Sequence, residues 1–362
     1  MIKASKQTKD NKGTIAVRSR SKLASLRYGR RAHTVKIVAV TGTYGKSTVV
    51  RLIAELLRES GAKVVEMIAG DGAPRSFETD PFLLHKRLAD ASKQGYDYVI
   101  LEVHAALVAS RVIPSLQIDT LVATSKSPEL FALSARPITR FVLPFGCDTP
   151  KGVAHHNIIT FGTDDASDMR IVSHTLYRRG IEVSLLIDQH TELDVASYLV
   201  GEVNAQNVAA ALATVYVLGV DVARFAEGVA RVERIEGNYD YVMSNTPYHV
   251  AIDRGGHMSS LMQVLGSARQ LAKRRLIVAL DSPVDTPDVE ELKKLVDRLI
   301  VVGDTPSADV DNAVDHEEAA FVASRGAKLD DLVLLIGQRF AQYDDRGIPI
   351  ISATIGGANV KP

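Results

Sequence analysis

The run Thr41-Gly42-Thr43-Tyr44-Gly45-Lys46-Ser47-Thr48 places two glycines, one lysine and several hydroxyls within eight positions. Glycines let a tight turn converge its backbone N–H groups on phosphate oxygens, and a helix starting at that turn adds its partial positive charge. In such a loop Lys46 faces solvent and reaches the β- and γ-phosphates, while the Ser47 hydroxyl ligates Mg²⁺. The expected ligands are a nucleoside triphosphate, ATP, and Mg²⁺. The first glycine of the common G-x-x-x-x-G-K-[ST] spacing is replaced by Val40. The alternatives are an incidental Gly-Lys-Ser turn, or a GTPase or kinase, although the guanine-reading Asn-Lys-x-Asp motif does not occur.

The surrounding residues supply the frame that a phosphate loop requires. Lys36 to Val40 reads as a buried strand. Ser47 to Ser60 sets Val50, Ile53, Ala54 and Leu57 on one helical face before Gly61 ends it. Further strands are expected at Lys63 to Met67, Tyr98 to Val103 and Thr120 to Thr124, with a helix at Pro81 to Gln94. Strand, helix and strand in short succession imply a parallel sheet covered on both faces. After Ile158 the pattern changes. Ile171 to Ile187 alternates about the turn Arg179-Gly180, and a helix spans Asn204 to Leu218. A second series follows, with strands at Val250 to Asp253, Leu276 to Asp281, Leu299 to Val302, Leu332 to Ile336 and Ile348 to Ser352. The expected fold class is α/β. It comprises a tail at 1–35, a phosphate-loop domain with a parallel sheet at 36–235, and a smaller Rossmann-like α/β domain at 236–362.

Bulk properties agree with a globular body of that size: 46% of the 362 residues are hydrophobic and 24% charged. No apolar run approaches the length of a transmembrane helix. The single cysteine, Cys147, allows neither an intramolecular disulfide nor a Cys-based zinc site, which suits a reducing cytoplasm. The net charge of zero hides an asymmetry. Met1 to Lys36 holds eleven Lys and Arg against Asp10 alone, leaving 32 basic and 42 acidic residues beyond it. Such a tail meets nucleic acid, an anionic membrane or the acidic body, or stands as a solvated arm. Nothing else in the chain points to nucleic acid. Ser21 to Arg31 has the pattern of a short basic helix with a thin apolar face of Leu23, Leu26 and Tyr28.

The form Thr-Gly-Thr-x-Gly-Lys-Ser-Thr resembles the phosphate loop of the Mur ligases and their folylpolyglutamate synthase relatives, and the resemblance continues along the chain. Glu78-Thr79-Asp80-Pro81 is similar to a family turn that contacts the sugar-nucleotide. Tyr98 to Val103 resembles a strand ending in a Mg²⁺-binding glutamate, here Glu102. Thr124-Ser125 with Pro128-Glu129-Leu130 resembles the segment after the next strand. Gly201 to Asn207 is similar to a signature whose asparagines, here Asn204 and Asn207, read adenine, and Asp253 stands where the family has a ribose contact. The resemblance implies nucleotide binding by Gly42, Thr43, Tyr44, Gly45, Lys46, Ser47, Thr48, Asn204, Asn207 and Asp253. It further implies substrate contacts by Thr79 and Arg111, metal ligation by Ser47 and Glu102, and catalysis by Lys46 and Glu102. By layout it suggests the ligases that add the third peptide residue, in a short form without the uridine-binding domain. The implied reaction is ATP-dependent joining of an amino acid to a carboxylate acceptor such as a UDP-muramoyl peptide, through an acyl phosphate.

Several family motifs are altered. The histidine after Thr124-Ser125 is missing, and Leu130 to Phe145 is too short for the usual lysine-bearing segment. The family's Gly-Arg is Gly237-Asn238. Its Asp-x-Ala-His-x-Pro segment reads Asp253-Arg254-Gly255-Gly256-His257-Met258, and its Gly-Lys-Gly-His-Glu loop reads Gly337-Gln338-Arg339-Phe340. Arg254, His257 and Arg339 are candidates to restore lost positive charge, and His104, two residues after Glu102, is a candidate to share its face. His155-His156 is a weak metal candidate, since neighbours on a strand face opposite ways. These losses leave two expectations. One is a ligase. The other is an ATP-binding, catalytically weak relative that regulates or scaffolds true ligases through a protein partner.

Overall fold

The computed structural model of the protein describes residues 20, 23–28, 35–68, 80–109, 116–127, 129–130, 133, 138–148, 154–242, 246–255, 258–283, 286–304, 307, 309–344, 346 and 348–355. The chain forms two compact units: Met1–His174 with Val183–Ala196 and Ala205–Val232, and Thr175–Glu182 with Ser197–Asn204 and Glu233–Pro362. Both are α/β, as the alternation of apolar runs and helical patterns requires.

The first unit is built on β1 (Lys36–Thr41), β2 (Val64–Met67), β3 (Tyr98–Glu102), β4 (Thr120–Ala123), β5 (Arg140–Pro144) and β6 (Ile158–Gly162). The sheet continues through β7 (Met169–Tyr177), β8 (Gly180–Ile187) and β9 (Thr191–Ser197), in the order β2-β3-β1-β4-β5-β6-β7-β8-β9. β1 to β6 pair in parallel. Successive side chains on β1 point to opposite faces, yet Ile37 to Val40 are all at most 2% exposed, so both faces of the sheet are covered. Ile37, Ala39, Val99, Leu101, Leu121 and Phe141 form one core with Leu84 and Leu88 of the helix α2 (Pro81–Lys93), which is capped by Asp80 accepting from Phe82 N.

The helix after the loop, α1 (Lys46–Glu59), buries Val49, Val50, Leu52, Ile53, Leu56 and Leu57, each contributing on the order of 1.5–3 kcal/mol. It ends at Gly61, whose φ of 91° lets Gly61 N and Ala62 N close onto Arg58 O and Leu57 O. Short α3 (Ala105–Ala109), the long α4 (Val203–Val217) and α5 (Phe225–Ala230) follow in the chain. Residues 23–28 are helical, with Leu23 and Leu26 exposed, so the basic helix expected within Ser21 to Arg31 forms without burying its leucines.

The second unit carries a six-stranded sheet: β10 (Asp240–Val242), β11 (His249–Asp253), β12 (Leu276–Leu280), β13 (Arg298–Val302), β14 (Asp311–Ala313) and β15 (Leu332–Ile336). Its order is β10-β11-β15-β12-β13-β14, parallel throughout except for the antiparallel edge strand β10. The helices α6 (Met258–Leu271), α7 (Thr286–Lys293) and α8 (His316–Arg325), with the short α9 (Ser352–Ile355), complete it. Alternate residues supply two cores, Val333 and Leu335 to one and Leu332, Leu334 and Ile336 to the other.

The strand expected at Ile348 to Ser352 does not form. Asp344 Oδ1 accepts from Ile348 N, Asp344 N donates to Ile348 O, and only an isolated bridge joins Tyr343 and Pro349. Pro349 has no N–H to give a ladder, Asp344 takes the Ile348 amide, and Ser352 N already turns back onto Pro349 O, so only Ile350 N pairs across, to Gln342 O. No helix among the described residues is long and apolar enough to cross a membrane.

One ion pair anchors the turn into β15. Asp331, 1% exposed, accepts from Arg275 Nε at 3.1 Å, Arg275 Nη2 at 2.6 Å and Lys328 N at 2.8 Å. Burial alone would push this carboxyl up, but the hydrogen bonds from Arg275 and Lys328 outweigh it and hold it below the ordinary carboxylate value. Because the folded value is depressed, the stabilisation is complete above the unfolded value, about 4, and is lost as pH falls through the folded one. Asp331→Asn is expected to lower the unfolding free energy by about 2 kcal/mol at pH 7. The deficit should shrink as urea melts are taken from pH 6 to pH 3, and an equal deficit at both ends would refute the assignment.

Candidate nucleotide site

Register sets the site. Val40 of β1 lies opposite Glu102 of β3, and Thr41 lies opposite Ala123 of β4, so the loop after β1, Glu102 and Thr124 share the carboxyl edge of one parallel sheet. Ligands of open α/β sheets bind at that edge.

The loop is held by close approach. Gly42 has φ of 138°, and a Cβ there would lie 2.1 Å from Thr124 Oγ1. Gly45 has φ of 75°, and a Cβ there would lie 2.2 Å from Oδ1 of the buried Asn207. Both positions therefore demand glycine for conformation and for space. Thr43 N donates to Ser125 Oγ at 2.8 Å, Thr124 N donates to Thr41 O at 2.8 Å, and the Thr124 hydroxyl donates to Tyr44 O and lies 3.3 Å from Thr41 O. Gly45 is the N-cap of α1 and supplies no capping side chain, and the first turn holds no acid. The amides of Lys46 and Ser47 have no carbonyl within the helix to bond, and these are the groups an anion satisfies. Thr48 is buried beneath them.

Lys46 differs from the expectation that it faces solvent. It is half-buried, and Nζ donates to Gly42 O at 2.9 Å and Thr43 O at 3.3 Å. The ammonium has folded back on the loop's own carbonyls because desolvation leaves it in need of acceptors. Burial lowers its pKa from the ordinary value, with Glu102 and Glu129 pulling in the opposite direction. Ser47 Oγ donates to Glu102 Oε1 at 3.0 Å, and Glu102 is 2% exposed. β3 stops at Glu102, yet His104 Nε2 still comes within 3.1 Å of Glu102 Oε1. A hydroxyl and a carboxylate oxygen thus converge beside a lysine. That donor set suits Mg²⁺, which takes oxygen ligands, few of them from protein. Among the described residues no group of three or more His, Cys, Asp or Glu is placed to hold a metal ion. His155–Asn157 form a turn of 3₁₀ helix with His156 exposed.

Gly42 to Thr48, Glu102 and Asn207 come together in the first unit. Asn204 and Asp253 belong to the second, and there both are engaged. Asn204 Nδ2 donates to Val200 O at 2.7 Å. Asp253 is 5% exposed, with Oδ2 accepting from Tyr239 N at 3.0 Å and Oδ1 from Gly255 N at 2.8 Å. Burial raises its pKa, and those two amides oppose the rise. Arg254 packs over Gly237, where a Cβ would sit 2.6 Å from Arg254 Cγ. Arg339 is exposed, with its N–H on Asp281 Oδ2, and Phe340 is fully buried. A cavity of about 270 Å³ opens beyond the carboxyl ends of β11, β12 and β15, with Arg254, Asp281 and Asp288 among its lining residues. Thr79, Arg111 and His257 lie outside the described residues. Sequence reasoning did not single out Thr124 and Ser125 as partners of the loop. The available signal was a pair of hydroxyl residues directly after the strand beside β1.

Residues 40–129 match the family described as the Mur ligase middle domain. The chain is 23% identical over 388 residues to the UDP-N-acetylmuramoyl-L-alanyl-D-glutamate–2,6-diaminopimelate ligase of Halalkalibacterium halodurans, covering 91% of this chain and 79% of that one. Its fold is similar to MurF from Acinetobacter baumannii, with a TM-score of 0.69, 16% identity, and 90% of this chain covered against 78% of the other. It is equally similar to the MurF ligase of Thermotoga maritima in complex with ADP, with a TM-score of 0.69, 17% identity, and coverage of 90% and 81%. The matched middle domain thus carries the phosphate loop and Glu102, and the two-sheet fold is similar to that of the Mur ligases along nine-tenths of the chain.

Proposed function

We propose that this chain is an ATP-dependent carboxylate–amine ligase of the Mur type. In this reading 36–235 is the ATP-binding central domain and 236–362 the C-terminal domain. The observation that carries it is the convergence of Lys46, Ser47 and Glu102 at the carboxyl edge of the first sheet, beside a loop whose glycines admit nothing larger. ATP transfers its γ-phosphoryl group to a carboxylate oxygen of the acceptor and ADP departs. The amine nitrogen then attacks the acyl carbon, phosphate leaves, and the nitrogen gives up a proton to become an amide. Lys46 and the first amides of α1 would bind the phosphates. Ser47 and Glu102 would hold Mg²⁺, which supplies charge neutralisation at those oxygens when bound. Asn204, Asn207 and Asp253 are assigned to the nucleoside, and Thr79 and Arg111 to the acceptor. An amino acid suits the cavity lined by Arg254, Asp281 and Asp288, because a guanidinium and carboxylates around one cavity offer partners to both charges of a zwitterion. The matched relative's name supports an acceptor of the UDP-muramoyl peptide class.

A second reading rests on a different observation. In the second unit the polar groups at family motif positions are occupied structurally: both Asp253 oxygens hold backbone amides, and Phe340 fills the core. Losing one donor aimed at a transition state costs on the order of 10²–10³ in rate. The chain then binds ATP but turns over slowly alone, and acts by regulating or scaffolding active ligases through a protein partner.

Lys46→Ala is expected to weaken ATP binding at least tenfold by calorimetry, about 1.4 kcal/mol or more, while the melting temperature moves little. Unchanged affinity would remove the nucleotide reading. Glu102→Gln should weaken binding measured with Mg²⁺ more than binding measured in chelator, and equal losses would separate Glu102 from the metal. ATP hydrolysis across a panel of amino acids and UDP-muramoyl peptides, with amide products read by mass spectrometry, divides the two readings. Ligation by the purified chain at about 1 s⁻¹ or faster would establish an ordinary ligase and dismiss the weak-catalyst reading.

A further inference from the structure

We infer that Thr124 and Ser125 are positioning residues for the nucleotide, acting through the phosphate loop; the inference rests on that loop being the nucleotide site. A phosphate-binding turn works only if several amides point inward together, and a free turn of glycines has many other conformations open to it. Here three bonds cross from the end of β4 to the loop: Thr124 N to Thr41 O, the Thr124 hydroxyl to Tyr44 O, and Thr43 N to Ser125 Oγ. The first continues the parallel pairing of β4 with β1 and anchors the base of the loop. The second orients the Tyr44–Gly45 peptide. When its carbonyl is pulled toward Thr124, its N–H on Gly45 is turned the opposite way, because the peptide is planar. The third fixes the peptide before Thr43 from its other end: Ser125 holds the Thr43 N–H, and the Gly42 carbonyl is turned to Lys46.

Contact reinforces these bonds. The Thr124 hydroxyl occupies the place where a Cβ of Gly42 would be, and Ser125 N and Oγ lie 3.0 and 3.2 Å from that same point. Thr124 is buried, 7% exposed, so its hydroxyl has no competing water to bond, whereas Thr43 at the tip is exposed. Neither residue need touch the ligand. Their part is to lower the entropy that binding would otherwise cost.

The test uses the full chain with Thr124→Val, which keeps the shape and removes the donor, Thr124→Ser, which restores it, and Ser125→Ala. Amide exchange across 41–47 is measured without nucleotide, ADP affinity with Mg²⁺ by calorimetry, and the melting temperature of each. Thr124→Val should speed exchange in the loop and weaken ADP roughly tenfold, as expected for one well-placed hydrogen bond. Thr124→Ser should recover both, and Ser125→Ala should give a smaller loss of each kind. Unchanged exchange and affinity in Thr124→Val overturn the inference, as does a loss that Thr124→Ser fails to recover or that follows the melting temperature alone. Should wild-type protein not bind ADP, the nucleotide reading fails and the positioning role falls with it, even if exchange still shows that Thr124 holds the loop.

Discussion

Everything at the first unit's carboxyl edge depends on how closely the loop after β1 lies against its neighbours. β1 runs between β3 and β4, so its loop emerges flanked by the ends of both strands. On one side the backbone at Gly42 meets the Thr124 hydroxyl, and at Gly45 it meets the Asn207 side chain with no room for a Cβ. That closeness turns the carbonyls of Gly42 and Thr43 toward Lys46 and leaves the start of α1 aimed past the strand ends. On the other side Glu102, nearly inaccessible, sits where Ser47 can donate to it. A carboxylate at 2% exposure is tolerable only with donors close at hand, and Ser47 and His104 are within reach. Ser47 and Glu102, and Lys46 and the loop carbonyls, therefore satisfy one another at this edge, which keeps charged groups in place within an otherwise apolar layer.

The second unit uses the same architecture for a different balance. Its sheet also presents a carboxyl edge with a cavity, but the acids there serve the backbone: Asp253 holds Tyr239 and Gly255, and Asp281 holds Arg339. Tyr239 has φ of 49°, in a region bulky residues rarely enter, so the hydrogen bond that its backbone N–H donates to Asp253 helps hold a strained turn. A carboxylate that accepts two backbone amides retains lone pairs for a ligand, but its position is dictated by the turns it holds. A substitution at Asp253 would therefore disturb the turns at Tyr239 and Gly255, whatever else the carboxylate does.

Much of this was legible in the sequence because it follows from pattern. Both sheets, the helix after the loop, and the roles of Lys46 and Ser47 come from apolar periodicity and from glycine chemistry, which act locally, whereas Glu102 was expected only from the family resemblance. What was not legible depends on contacts distant in sequence. The fold of Lys46 back onto the loop carbonyls follows from burial that no eight-residue run reveals. The brace from Thr124 and Ser125 needs the knowledge that β4 neighbours β1. Ile348 to Ser352 looked like a strand by composition, but the turn built on Asp344 takes the Ile348 amide, and Pro349 has none to offer.

The distribution of satisfied polar groups also bears on how binding and transfer would be divided in the proposed reaction. Binding a triphosphate asks chiefly for converging amides, one cation and a metal site, all of which a single loop and a single strand end can supply. Transfer asks for more, because charge moves from the phosphoryl group to the departing oxygens and later to a tetrahedral centre, and each stage needs a donor already aimed at it. In the first unit Lys46 and Ser47 have hydrogen bonds that a stronger acceptor can replace, since the loop carbonyls and Glu102 would then be free to bind metal or water. In the second unit the bonds of Asp253 are to backbone amides, and exchanging those partners means moving the turns that carry them. The physical difference between the units is thus one of reorganisation: side-chain rotation frees the groups of the first edge, whereas Asp253 meets a ligand only through the lone pairs that its two amides leave over.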